Sequence, residues 1–308
     1  MIVQYAENGN SDIWSDWLLR IRHAEDDDLE AHVRSLVDQY AERVLDGAML
    51  FPGATIVDVG TGEGVVAFRA IERIGKSLQV IMTDISTPML DHARRVTSKL
   101  GLKDQCNFIA CSADNLSMIP DSSVDAVVTR SVLAYVSDKC KALREFHRIL
   151  KPGGRISIAE PIMQDEALYA RALKIRVDSH AGHETDKFMT LLHRWKSAQF
   201  PDTEDKCASN PLVNYNERNL LRFVLDSGFK EAHLELHIDV RPSVVKSWDV
   251  FLGCSPHPWA PPLKSILTEE FTAEERQLFE RVVRPGVEAG DGVNTERIAF
   301  LTAVKPLQ

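Results

Sequence analysis

The sequence has no long hydrophobic run. No stretch of about 18 apolar residues occurs in its 308 residues, so we expect no membrane-spanning helix. The first ten residues, MIVQYAENGN, do not combine a basic region with an apolar core, so we expect no secretory signal. Cysteine is scarce as well. The five cysteines have no paired spacing, which argues against a disulfide framework and favours a reducing, cytoplasmic location.

Positive charge is also in short supply. The 36 Lys and Arg residues are outnumbered by 45 Asp and Glu residues, and no basic cluster occurs. Because binding to phosphates needs concentrated positive charge, we expect no nucleic-acid partner. A small-molecule substrate fits this composition better. The sequence leaves the oligomeric state open, with a homodimer as one alternative.

The most informative stretch is TIVDVGTGEG, residues 55–64. Its β-branched first half predicts a strand buried on both faces, and the VVAFRAIERI that follows predicts a helix. A glycine turn between a strand and a helix lets backbone N–H groups approach a ligand, although an unliganded tight turn is the alternative. A dinucleotide-binding turn, G-x-G-x-x-G, would need glycine at position 65, where valine stands. The spacing is instead D-x-G-x-G-x-G, beginning at Asp58.

Four further signatures follow in order. A second apolar strand ends at Asp84, which begins the string D-I-S-T-P-M-L. A third strand, 107–111, precedes S-A-D, and a fourth strand contains V-D-A-V-V. The next helix ends in R-I-L-K-P-G-G before a fifth strand, Ile156–Glu160. Taken singly, Asp84 could be a helix cap and K-P-G-G a helix stop.

In this order and at these intervals, the signatures over residues 54–161 resemble the class I S-adenosylmethionine (SAM)-dependent methyltransferases. The D-I-S-x-x-M-L string is similar to the branch that contains the ubiquinone/menaquinone-biosynthesis C-methyltransferases. The resemblance implies an α/β fold: a seven-stranded, doubly wound, Rossmann-like sheet with N-terminal helices and a helical cap inserted after the fifth strand. The seventh strand, 297–304, is expected to lie antiparallel between the fifth and the sixth.

The expected domains follow from this fold. Residues 1–50 form an N-terminal helical lid, 51–162 the SAM-binding core and 163–215 the helical cap. Residues 216–308 complete the core and contain a second insert at about 241–293. Trp14 and Trp17 share one stripe of the first helix. Packing onto the main domain is the favoured interpretation of this stripe, and a lid over a ligand cleft is the alternative.

The resemblance also implies the contacts to SAM. Asp58 and the glycine turn would hold the methionine end of the cofactor. Asp84 would hold the ribose, and Ile85 and Met89 would pack beside the adenine. Thr129 and Arg130 would border the sulfonium. The residues of the turn are Gly60, Thr61, Gly62 and Gly64.

One position departs from the family pattern. Ser112 stands where the related branch usually has an Asp that bonds the adenine amino group. A neutral hydroxyl makes a weaker hydrogen bond than a carboxylate does. Asp114 and the backbone of Ala113 are therefore alternative contacts for the adenine.

Four residues are candidates for a position near the transferred methyl group: Tyr135, Glu160, His180 and His183. The two histidines share a helix face with Glu184 nearby, which leaves open a metal pair, a general base or a solvated polar face. We predict no catalytic metal, because Thr129-Arg130 stands where metal-dependent catechol O-methyltransferases carry an acidic ligand.

The sequence therefore predicts an enzyme that transfers a methyl group from SAM to O, N, S or C of a small organic molecule. A non-catalytic SAM-binding scaffold or partner subunit is the alternative from another class. A methyltransferase of protein or tRNA is disfavoured by the acidic composition and by the two large inserts.

Overall fold

The computed structural model describes residues 11–179 and 186–307. The chain divides into two compact units. The first, named here the sheet unit, comprises Arg34–Ile162, Tyr215–His237 and Arg297–Gln308. The second, named the helical unit, comprises Met1–Val33, Met163–Asn214 and Ile238–Glu296. Among the described residues, none of the helices has the length and apolar character that crossing a membrane requires.

Seven strands form one mixed sheet in the order β3-β2-β1-β4-β5-β7-β6. The first five strands pair in parallel, and β7 runs antiparallel to β5, with Ile158 opposite Leu301. This confirms the predicted fold class and the predicted position of the seventh strand. The strands are β1 Thr55–Val59, β2 Gln79–Asp84, β3 Cys106–Ala110, β4 Val124–Arg130, β5 Leu150–Pro161, β6 Lys230–Pro242 and β7 Val293–Val304.

The helices alternate with the parallel strands, as doubly wound folds require. The central strands β1 and β4 are almost wholly buried, which explains why their sequences are nearly continuous apolar runs. In chain order the helices are α1 Ile13–Leu19, α2 Asp27–Ala48, α3 Val65–Ile74, α4 Thr87–Leu100, α5 Lys139–Ile149, α6 Gln164–Ser179, α7 Asp186–Gln199, α8 Glu204–Ser209, α9 Glu217–Asp226, α10 Trp248–Gly253, α11 Leu263–Glu270 and α12 Ala273–Ala289.

The helical unit has its own apolar core. Trp248, Phe271 and Phe279 lie at its centre, with Trp195 packed against them. The edge of the Trp195 ring meets Phe279 at a centroid distance of 5.6 Å, an arrangement that stabilises aromatic pairs. The sequence did not predict α11, because this short helix directly follows a proline-rich loop.

The two N-terminal tryptophans pack within the helical unit. The Trp17 indole N–H donates to the Ser255 carbonyl oxygen at 3.0 Å, and the Trp14 ring meets Trp259 at a centroid distance of 6.1 Å. Ser255 and Trp259 are both residues of the second insert. Both tryptophans lie on α1, which ends at Leu19.

The fifth strand is longer than predicted. The K-P-G-G segment belongs to β5, where it pairs beyond the expected turn: Gly153 N–H donates to Lys305 O and Lys305 N–H to Gly154 O. A Cβ added to Gly154 would lie 2.9 Å from the carbonyl oxygens of Asp125 and Lys151. Only glycine fits that close approach of backbones.

The arginine that precedes this segment holds a loop together. Arg148 donates to the carbonyl oxygens of Leu116 and Ile119 at 2.9 Å, and it bonds the carboxylates of Glu145 and Asp121. These bonds attach the loop before β4 to the last turn of α5.

We expect Arg148→Lys to lower the free energy of unfolding by about 1–3 kcal/mol, because an ammonium group cannot make this planar set of bonds. Urea unfolding would measure the loss. Arg284→Lys is the matched control, because Arg284 makes exposed ion pairs with Glu280 and Glu288 on α12. Exposed ion pairs contribute little to stability, so this variant should unfold close to the wild type. Equal losses in the two variants would contradict the prediction.

Candidate active site

The site is built at the carboxyl ends of β1, β2, β4 and β5. In the sheet, β1 lies between β2 and β4. The strands β1, β2 and β3 follow one another in one direction from β1, and β4 and β5 follow in the other, so the strand order reverses beside β1. Ligands of doubly wound sheets bind at the carboxyl edge of the sheet at such a reversal. The predicted cofactor residues in the sheet unit cluster along this edge, because most of them end these strands or follow them directly.

The glycine turn adopts a backbone that other residues rarely adopt. Gly60, Gly62 and Gly64 have φ angles of 64°, 51° and 85°. A Cβ on Gly60 would lie 2.3 Å from Cγ2 of Val132, and one on Gly64 would lie 2.4 Å from Cε2 of Phe68. The turn therefore requires glycine both for its conformation and for its close contacts, and it leads directly into α3.

Asp58 lies buried beneath the turn. The Thr61 hydroxyl donates to its Oδ2 at 2.7 Å. Burial raises the pKa of Asp58 from 3.8 to about 7, although the hydrogen bonds from Thr61 and the backbone of Ala67 and the charge of Arg130 lower it. The nearby Asp84 carboxylate raises it further. The pKa of Asp58 thus lies well above that of an exposed aspartate, and burial is the main cause.

Asp84 connects the end of β2 to the glycine turn. Its Oδ2 accepts from the Gly62 N–H at 2.9 Å and its Oδ1 accepts from the Ser86 N–H at 2.8 Å. The Ser86 hydroxyl oxygen in turn accepts from the Met89 N–H at the start of α4. The cap of α4 is therefore Ser86 and not Asp84, whose carboxylate is instead oriented by the glycine turn and by the Ser86 N–H.

The two predicted adenine neighbours differ in exposure. Ile85 is 62% exposed, whereas Met89 is fully buried in the core. The expected contact of Met89 with a ligand is thus not available in this structure, because protein atoms cover its side chain. Ile85 keeps an apolar surface beside Asp84.

The residues after β3 form a polar pair. The Ser112 hydroxyl donates to Oδ1 of Asp114 at 2.6 Å, and the Lys141 ammonium lies 3.3 Å from Oδ2. The hydrogen bond from Ser112, with a smaller effect of Lys141, lowers the pKa of the Asp114 carboxyl group. Ala113 between them is buried. The unusual serine is therefore coupled to a carboxylate two residues away.

At the end of β4 the two predicted sulfonium neighbours also differ. The Thr129 hydroxyl is fully buried and donates to the Val59 carbonyl oxygen at 2.8 Å, so it links β4 to β1. Arg130 is half-buried, and its guanidinium donates to the Ser131 hydroxyl oxygen at 3.3 Å. Ser131 has a φ angle of 57°, an uncommon conformation for a serine that turns the chain sharply after the strand.

Glu160 at the end of β5 is fully buried. Its Oε1 accepts from the N–H groups of Val132 and Leu133, and its Oε2 accepts from that of Ala134, all at 3.0 Å. Burial raises the pKa of Glu160, while the three backbone bonds lower it. The carboxylate supports the turn after β4. Because Glu160 is fully buried, it is not exposed for the position near the transferred methyl group for which the sequence made it a candidate.

Sequence reasoning missed two neighbours of this turn. The Lys139 ammonium donates to the Val136 carbonyl oxygen at 3.0 Å and lies 4.5 Å from the ring centroid of Tyr215. The Tyr215 hydroxyl donates to the Pro161 carbonyl oxygen at 2.7 Å. Burial lowers the pKa of Lys139 to about 8, although Glu160 raises it. No local motif could indicate a pairing between residues so far apart in the sequence.

Of the three remaining catalytic candidates, the structure describes one. Tyr135 is half-buried in the turn after β4. His180 and His183, with Glu184, lie outside the described residues. Within residues 11–179 and 186–307, no group of three His, Cys, Asp or Glu side chains is arranged to hold a metal ion.

Known proteins share this fold and these signatures. Residues 50–200 match the family model described as a methyltransferase domain. The chain is 33% identical over 120 residues to the ubiquinone/menaquinone biosynthesis C-methyltransferase UbiE of Pseudoalteromonas translucida, which covers 39% of this chain and 47% of that protein. It is 39% identical over 109 residues to UbiE of Brucella anthropi, and this alignment covers 35% of this chain and 41% of that protein.

The chain thus spans about half the length, or less, of these two curated relatives. The YcgJ protein of Bacillus subtilis shares the fold with a TM-score of 0.56 and 15% identity, over 87% of this chain and 98% of that one. Residues 50–200 of this chain are therefore similar to a methyltransferase domain, and over part of its length the chain resembles the ubiquinone/menaquinone C-methyltransferases.

Proposed function

We propose that this chain transfers the methyl group of SAM to a small organic molecule. The observation that carries the proposal is the bond from the Gly62 N–H to Asp84, at 2.9 Å. It places an oriented carboxylate at the end of β2 directly beside a glycine turn. A carboxylate in this position binds the ribose hydroxyls of a nucleotide in doubly wound folds.

The residues present fit SAM. A Cβ on Gly60 would collide with Val132 and one on Gly64 with Phe68, so only glycine allows the backbone conformation of this turn. We assign the methionine end of the cofactor to this turn, including Thr61 and Gly62. Asp58 supports the turn by accepting a hydrogen bond from the Thr61 hydroxyl.

For the adenine we assign the exposed side chain of Ile85 as the apolar contact. Ser112 and Ala113 border the same ligand, and the coupled Asp114 gives the serine a charged neighbour. Met89 supports this region from the core. At the sulfonium, Thr129 acts by linking β4 to β1, and Arg130 contributes its backbone.

When bound, SAM supplies an electrophilic methyl group carried on a sulfonium. The chain's own task is to position the acceptor in line with that group and to exclude water. A general base is needed only if the acceptor atom carries a proton that must leave. Tyr135, His180 and His183 are our candidates for that base.

We further propose that the N-terminal lid (1–50) and the cap (163–215) cover the acceptor. Helices α1, α6 and α7 of these segments belong to the helical unit, which lies outside the five sequence signatures, whereas α2 from Arg34 onward belongs to the sheet unit. Elements outside the shared signatures determine which substrate a fold accepts. The acceptor is accordingly expected to be a molecule small enough to be enclosed.

The Asp84 carboxylate should be required for cofactor affinity. We expect Asp84→Asn to weaken S-adenosylhomocysteine (SAH) binding by about 1.5–3 kcal/mol, the range for a charged hydrogen bond. Calorimetric titration would measure it, with Asp91→Asn as control, because Asp91 is exposed on α4 and pairs with Arg94. NAD should not bind the wild type. Unchanged SAH affinity in Asp84→Asn would limit Asp84 to supporting the loop.

Asp58 should give the protein a distinctive pH dependence without ligand. The folded state holds its proton up to a pKa of about 7, whereas the unfolded chain releases it near 3.8. The folded state therefore binds more protons between these values, and stability should fall as pH rises from about 4 to about 7. Chemical unfolding at a series of pH values should show a shallower fall for Asp58→Asn than for the wild type. The exposed control Asp104→Asn should follow the wild type, and identical slopes in all three would refute the assignment.

The proposed lid and cap should respond to the cofactor. We expect SAH to slow amide hydrogen exchange in residues 11–23 and 164–179, because covering a ligand reduces local opening. Mass spectrometry of exchanged peptides would measure the change. Peptides from α12, residues 273–289, serve as the internal control and should keep their exchange rates. Slower exchange confined to residues 50–162 would show that the lid and the cap do not cover the cofactor.

A further inference from the structure

We propose that Glu160 is a positioning residue for the cofactor site. Through three backbone N–H groups of the turn after β4, it holds Val132 against Gly60. It thereby maintains the glycine turn in the conformation that receives SAM. This inference rests on the proposed function. In it, Glu160 acts on the cofactor site through Val132 and Gly60 and does not contact the acceptor.

The path of the chain explains why a carboxylate stands here. Arg130 is the last residue of β4 and pairs with Ala159 of β5. Ser131 extends this pairing by one bond, from its N–H to the Ala159 carbonyl oxygen at 2.8 Å, and then turns the chain in a left-handed conformation. The next three N–H groups point at the end of β5, where Glu160 accepts them.

Both side-chain oxygen atoms of Glu160 accept N–H groups, three in all. A carboxylate has acceptors on both oxygens, whereas the amide of glutamine has one acceptor oxygen and a nitrogen that only donates. In Glu160→Gln, the amide nitrogen would face at least one of the N–H groups of Val132, Leu133 and Ala134. An unsatisfied, buried N–H is costly, so the turn would move away.

Movement of this turn reaches the cofactor site through one contact. The side chain of Val132 fills the space beside Gly60: all three nearest atoms to a Cβ built there belong to Val132, at 2.3 to 3.3 Å. Gly60 itself has a φ angle of 64°. A displaced Val132 would leave Gly60 unsupported, and the turn that follows it would lose its fixed geometry.

Lys139 holds the other end of the same segment. Its ammonium donates to the carbonyl oxygen of Val136, and the side chain is itself buried. Tyr135 lies between the two attachments, and its N–H donates to the Val132 carbonyl oxygen at 2.9 Å. Hydrogen bonds to the Glu160 carboxyl group thus fix the start of the segment Ser131–Val136, and the bond from the Lys139 ammonium group fixes its end. Tyr135 lies within this fixed segment.

The experiment compares Glu160→Gln with Gln105→Ala. The Gln105 amide also satisfies two buried carbonyl oxygens, those of Gly75 and Leu78, but at the opposite, amino edge of the sheet. SAH affinity is measured by calorimetry well below the melting temperatures of both variants. We expect Glu160→Gln to bind SAH at least about ten-fold more weakly than the wild type and Gln105→Ala to stay within about two-fold, even where the two lose similar melting temperature.

Two further measurements keep the test decisive. Amide exchange at residues 132–134 should be faster in Glu160→Gln, and Val132→Ala should also weaken SAH binding although Glu160 is intact. If Glu160→Gln does not fold, Val132→Ala decides the matter, and wild-type affinity in that variant overturns the inference. Wild-type affinity in Glu160→Gln, or an equal loss in Gln105→Ala, also overturns it while leaving the proposed function intact. Absence of SAH binding in the wild type refutes the proposed function and this inference together.

Discussion

Buried carboxylates that accept hydrogen bonds from neighbouring loops determine the geometry of the candidate site. Asp58, Asp84 and Glu160 lie in β1, at the end of β2 and at the end of β5, and each is buried. A buried carboxylate is costly unless several donors satisfy it. Here the donors belong to the loops that border the site, so the requirement to satisfy each acid also fixes the path of a loop. The loops are thereby ordered before any ligand binds, which reduces the entropy that binding must overcome.

The residues assigned to the cofactor and the segments proposed to cover the acceptor lie in different parts of the sequence. The five signatures and the assigned cofactor residues lie in the sheet unit. The family match ends at residue 200, whereas the helical unit extends through Ile238–Glu296. Trp248, Phe271 and Phe279 of the aromatic core belong to that unmatched part, whereas Trp195 lies within the matched residues. Substrate choice in shared folds depends on such variable regions, so similarity to the UbiE proteins carries more information about the cofactor than about the acceptor.

Local patterns predicted most of the fold, and the spaced glycines predicted the turn. Alternation and helical periodicity are properties of short windows, so β1 and α3 were predicted with their observed bounds. Long-range pairing is not readable in this way. The extension of β5 through Gly153 and Gly154 depends on Lys305, and these residues are far apart in sequence.

The same limit applies to the site. Asp84 was predicted because the motif fixes its distance from the glycines, and its orientation follows from a bond within that motif. The support role of Glu160, the link from Thr129 to Val59 and the burial of Met89 depend on packing between elements. A residue type at the end of a strand indicates the edge of the sheet, but it does not indicate whether the side chain faces a ligand or the neighbouring loop.

The position of β7 has a consequence for the order in which the protein is made. This strand lies between β5 and β6 in the sheet, yet it follows both of them in the chain. On the ribosome, β6 therefore emerges before the strand that joins it to the sheet, and the chain Ile238–Glu296 of the helical unit emerges in between. A nascent chain can assemble the five parallel strands first, but β6 must wait, without its neighbour, until that segment has been synthesised. Completion of the sheet is thus coupled to the synthesis of a segment that belongs to the other unit.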